Sequence, residues 1–137
     1  MEFIVTDEIR DSDRTEILED IEAYNLERIE NKFPKDLGIY VEDDSGRKIA
    51  GLIGETHGNW LEVELLWVTE SARGQHIGSS ILEQAEIVAK ERGCKSVFLD
   101  TFGFQAPEFY KKQGYTEVFR LTGYPVTGTR HYFTKEL

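Results

Sequence analysis

A chain of 137 residues, 39% hydrophobic, 12% aromatic and 31% charged, suits one globular domain, 1–137, and is too short for two ordinary ones. Its 16 basic and 26 acidic side chains leave a net charge of −10, which argues against a nucleic-acid partner and is compatible with a cationic one such as an amine. No window holds the ~18 uninterrupted apolar residues of a bilayer span, and the acidic start MEFIVTDEIR lacks a basic n-region, so a cytoplasmic chain that does not enter membranes is expected.

Met1 to Val5 reads as a first strand. Asp11-Ser12-Asp13 offers helix caps ahead of Ile17, Leu18, Ile21 and Tyr24, which fall on one face of an amphipathic helix. A second short helix is expected over Leu26 to Lys32, where Phe33-Pro34 breaks it. Gly38 to Glu42 and Lys48 to Glu55 read as antiparallel strands joined by the turn Asp43-Asp44-Ser45-Gly46-Arg47. His57-Gly58-Asn59 then turns the chain into a third strand.

That third strand, Trp60 to Val68, is read as alternating. Leu61, Val63, Leu65 and Trp67 fall on one face, and Glu62, Glu64, Leu66 and Val68 on the other. From Ile77 the period becomes helical, with Ile77, Ile81, Leu82, Ala85, Val88 and Ala89 as the apolar stripe and Gly93 as the stop. Between strand and helix lies Arg73-Gly74-Gln75-His76-Ile77-Gly78. The first helical N–H groups have no carbonyl partner, and with the helix dipole they favour an anion. Arg73 adds a planar fork that suits phosphate oxygens, although two glycines and an arginine also serve a plain strand-to-helix turn.

Lys95 to Asp100 is a short apolar strand that the helical crossover sets parallel to the Trp60 strand, opening a cleft between their C-terminal ends. A helix with Pro107 in its first turn and Gly114 at its stop follows. Thr116 to Leu121 and Thr129 to Lys135 complete the strands, joined by a loop over 122–128. The one cysteine, Cys94, reads as a reduced core residue at a strand entrance, and no residue set has metal-ligand spacing. His57 and His131 are expected in surface or hairpin roles, and Trp60 and Trp67 in strand packing.

The segment from Glu62 to Gly78 resembles the acetyl-CoA-binding core of the GNAT superfamily of N-acetyltransferases, whose signature is Arg or Gln, two residues, Gly, one residue, then Gly or Ala. Arg73 and Gly78 match its ends, and His76 stands at the inner glycine. A second GNAT landmark is similar to Ala106, Phe109, Tyr110, Gly114 and Tyr115. Gly103 stands where many members carry asparagine, which leaves Gln105 as the candidate for that polar contact.

The resemblance implies an α/β (α+β mixed) fold with a central, mostly antiparallel sheet of six to seven strands flanked by helices. A splayed parallel strand pair would form the acetyl-CoA cleft. Backbone groups of Leu66, Trp67 and Val68 would hold the pantetheine arm and the acetyl oxygen. Arg73, Gly74, Gln75, His76, Ile77, Gly78 and Ser79 would take the diphosphate, with Gln105 and Tyr110 completing the cofactor contacts and no metal required.

The implied reaction is acetyl transfer to a primary amine of a small molecule or protein, with homodimers common among such proteins. A protonated amine cannot attack, so a base is needed, and the alternating strand would aim Glu62 and Glu64 into the cleft unless both simply face water. By resemblance Tyr110 is the general acid toward the leaving thiolate. A non-catalytic CoA-binding sensor or a protein-interaction module of the same fold is the alternative. Acceptor specificity is expected in residues 24–36 and 122–128.

Overall fold

The computed structural model describes all 137 residues. Contacts divide the chain into Met1–Lys32 and Phe33–Leu137. In the first unit α1 spans Asp11–Leu26. Asp13 Oδ2 accepts from the Arg10 N–H at 3.3 Å, so the helix starts at Asp11 with two acidic residues against its positive end.

Two expectations fail in this unit. Met1 to Val5 forms no strand, because β-forming residues need a ladder partner and none pairs with them. Leu26 to Lys32 forms no second helix, because α1 ends at Leu26 and the Arg28 and Ile29 N–H groups both close onto the Asn25 carbonyl, at 2.9 and 2.8 Å. Arg28 then lies 3.8 Å from the centre of the Tyr24 ring.

The second unit is built on a six-stranded sheet in the order β1-β2-β3-β4-β6-β5. Its strands are β1 (Lys35–Glu42), β2 (Lys48–His57), β3 (Trp60–Val68), β4 (Ser96–Phe102), β5 (Thr116–Thr122) and β6 (Thr129–Glu136). All neighbours are antiparallel except β3 and β4, which the crossover helix α2 (Ile77–Glu91) makes parallel. The short helix α3 (Pro107–Lys112) follows β4.

Helix α2 buries Ile81, Leu82, Ala85 and Ala89 in one core with Leu37, Leu52, Leu61, Val63, Val97, Leu99 and Phe133 from the sheet. Leu52, Leu61 and Leu82 are fully buried, each contributing about 2 kcal/mol of transfer free energy. The far end of α2 is tied to the sheet by Arg92, whose Nη1 donates to the carbonyls of Lys35 and Asp36 and to Thr56 Oγ1 at 3.0–3.3 Å. Cys94 is buried just before β4, in the reduced core role expected of it. No helix is long and apolar enough to cross a membrane.

Candidate active site

The third strand does not alternate throughout. Its register with β2 slips between Ile53 and Gly54, so that Leu65 pairs with Ile53, Val63 with Gly54, and Glu64 has no partner. One extra residue is a β-bulge, and beyond it every side chain changes face. Leu61 and Val63 are buried before the bulge, and Leu66 and Val68 join their core after it. The predicted grouping of Glu62 and Glu64 with Leu66 and Val68 is therefore corrected, and Leu65 and Trp67 are exposed rather than core-facing. Gly54 makes room for the bulge: a Cβ there would run into the carbonyl oxygen of Glu62.

Parallel pairing of β3 with β4 extends only from Trp60 opposite Ser96 to Val63 opposite Leu99. Past that point the strands part, and the β4-facing backbone groups of Leu66, Trp67 and Val68 are left without a ladder. The gap opens into a cavity of about 1060 Å³. From β3 it is lined by Glu64, Leu66, Trp67 and Val68, and from the following turn by Arg73, Gly74 and His76. Ile77, Gly78 and Ser79 bring the N-terminus of α2 to it, and Gln105 and Tyr110 close it from the opposite side. Of the site residues read from sequence, Glu62 and Gln75 lie outside this lining.

His76 is the N-cap of α2 and adopts φ 59°, ψ 21°, the one non-glycine residue in the left-handed region. The backbone turn that the missing glycine would make is thus made regardless, at a steric cost histidine bears better than branched residues do. Its carbonyl accepts from the Ser80 N–H at 3.0 Å and from Ser79 Oγ at 3.0 Å, so Ile77, Gly78 and Ser79 present the N–H groups without helical partners. Arg73 folds back on β3, its Nε donating to the Val68 carbonyl at 3.0 Å and its guanidinium 4.8 Å from the Trp67 ring centre. Trp67 therefore packs against this cation, while Trp60 sits edge-on to Phe98 at 5.7 Å.

On the opposite wall Tyr110 is buried, packed edge-on against Phe109 and Tyr115 and tilted against Phe133. Burial first, and then the charge of Asp100, push its phenol up to about 12, so it keeps its proton throughout the neutral range. Tyr115 is committed elsewhere: its hydroxyl donates to Glu86 Oε2 at 3.4 Å, and Lys135 bonds Glu86 Oε1 at 2.5 Å. Gln105 lines the cavity but turns its Oε1 to the end of β4, accepting from the Phe102 N–H at 2.8 Å and from Thr101 Oγ1 at 3.1 Å.

Gly103 has a steric reason. Any Cβ there would strike Thr129 Oγ1, which is itself held at 2.8 Å by His131 Nε2. His131 is buried in the β5–β6 hairpin with its Nδ1 on Glu117, so a surface role is excluded for it.

Glu62 stands directly opposite Glu55 in the β2–β3 register. Partial desolvation, and then the charges of Glu64, Glu55 and Asp100, raise its carboxyl above the ordinary range. Asp100, Thr101 and Phe104 also line the cavity and were not anticipated from sequence. Their signal was the C-terminal end of the strand parallel to β3, where open α/β sheets place their ligands.

Residues 35–117 match the family model of the acetyltransferase (GNAT) domain, over half of the chain. The chain belongs to the GNAT acetyltransferase family. It is 35% identical over 122 residues to acetyltransferase Atu2258 of Agrobacterium fabrum, covering 88% of each chain. It is 39% identical over 99 residues to blasticidin-S acetyltransferase of Streptomyces morookaense, covering 72% of this chain and 73% of the relative. The crystal structure of an acetyltransferase from Bacillus cereus superposes with a TM-score of 0.85 at 31% identity over 98% of both chains. The mixed fold read from sequence is thus the GNAT fold, with six strands.

Proposed function

We propose that this GNAT acetyltransferase moves an acetyl group from acetyl-CoA to the primary amine of a small molecule. One observation carries the reading: the β3–β4 splay opens under the N-terminus of α2 into a single cavity with Glu64 on one wall and Tyr110 on the other. The residues fit the co-substrate, since the free N–H groups of Ile77, Gly78 and Ser79 suit a diphosphate and the unladdered edge of Leu66 to Val68 suits an amide-bearing arm. Acetyl-CoA supplies an activated thioester carbonyl. The blasticidin-S acetyltransferase relative favours a small-molecule acceptor.

Glu64 accepts the ammonium proton and leaves a neutral amine for attack; Glu62, beside it on the strand, adds negative charge and takes the proton onward through water. The acyl carbon forms its new bond to nitrogen as the carbon–sulfur bond breaks, and the second proton that the nitrogen sheds passes through water to the oxygen of Tyr110. Tyr110, neutral at working pH, donates its proton to the departing sulfur. Release of free CoA against an amine panel tests this. Glu64→Gln and Tyr110→Phe should each lower kcat by about 10²-fold or more while calorimetry finds CoA affinity nearly unchanged. Unchanged turnover in either variant removes that residue from the chemistry, and an absence of CoA binding removes the whole reading.

A further inference from the structure

The turn after β4 ends in a stack of rings that acetyl transfer alone does not use. Phe104 lines the cavity and is 83% exposed. Its ring lies parallel to that of Phe102, at 5.2 Å between centres and 9° between planes. Phe102 stacks in turn on Tyr124, from the loop between β5 and β6, at 5.8 Å and 21°.

Behind these rings the Arg130 guanidinium lies 5.8 Å from the centre of Phe102, 5.4 Å from Tyr124 and 5.5 Å from Tyr132. It is held there by Nε donating to Asp100 Oδ2 at 2.6 Å and by Nη1 donating to the Tyr124 hydroxyl at 3.3 Å. A phenylalanine on a turn ordinarily rotates freely. Here it stacks on Phe102, whose own ring is held by Tyr124 and the anchored Arg130, so part of the ordering cost is met before anything binds. What remains is a flat, bare π face on the wall of a cavity whose opposite side carries Glu64.

We propose that the acceptor carries a planar aromatic or heteroaromatic ring, which stacks on the free face of Phe104 while its amine extends into the cavity. The proposal rests on the acetyl-transfer reading and narrows the acceptor to a class. Ring stacking is directional, whereas plain apolar burial does not distinguish a flat ring from a puckered one of the same carbon count.

Calorimetry on the full chain, with and without saturating CoA, compares 2-phenylethylamine with 2-cyclohexylethylamine, which share the amine and carbon skeleton and differ in planarity. The expected result is about five-fold tighter binding of the phenyl compound, lost in Phe104→Leu and kept in Phe104→Tyr. Equal affinities in the native chain, a preference that survives Phe104→Leu, or no binding of either amine at about 10 mM would overturn the proposal. Binding needs no turnover, so a protein that fails to release CoA but prefers the flat ring defeats the acetyl-transfer reading and leaves the ring site standing.

Discussion

His76 shows how one side chain can depart from a pattern without undoing it. A glycine at this N-cap would adopt φ 59° without steric cost, and histidine adopts it with some. Replacement by valine should destabilise the chain by about 1–2 kcal/mol relative to His76→Gly, read from urea midpoints, because a branched Cβ crowds the left-handed region most. Equal stability of the two variants would mean that the helix start relaxes to another conformation. Neither the strain nor its location was written in the residue type alone; it came from matching a motif whose inner glycine is replaced. Gly103 is similar, since only the fold brings Thr129 beside it and removes the room an asparagine would need.

At the scale of elements, the bulge in β3 decides which side chains beyond it face the core. A period of two, read along nine residues, put Glu62 and Glu64 on the face of Leu66 and Val68, and the unpaired Glu64 moves Leu66 and Val68 to the face of Leu61 and Val63 instead. That residue is accommodated by Gly54 on the neighbouring strand, where the Glu62 carbonyl approaches too closely for any side chain. Gly54→Ala should therefore cost about 1–3 kcal/mol in chemical denaturation and lower turnover as Glu64 is displaced. Full activity and stability in this variant would show that the register holds without the glycine. The helices were better served by sequence, because the α2 stripe and the Pro107 and Gly114 boundaries depend on neighbours a few residues away. Leu26 to Lys32 failed for the converse reason, being too short to hold a helix by local signals.

Across the whole molecule, buried phenols couple stability to pH. Tyr110 is raised to about 12 by burial and then by Asp100, and Tyr115 is raised further by burial and then by Glu86. A group whose folded value lies above its unfolded value near 10 stabilises the fold fully below pH ~10 and loses that contribution as pH rises toward the folded value. Thermal midpoints should thus fall steeply above pH ~10, and Tyr110→Phe should flatten the fall between pH ~10 and ~12. A variant with the native slope would place the alkaline loss elsewhere. By itself the sequence determined the element order over residues 38–136, the place of Tyr110 on the helix that starts at Pro107, and the family, since each depends on local spacing and on short motifs. Only the tertiary structure decided the bulge, the burial of His131, the place of Glu64 rather than Glu62 in the cavity lining, and the ring stack ending at Phe104. Those features depend on residues far apart in the chain meeting across strands, and no periodicity within a single segment encodes that meeting.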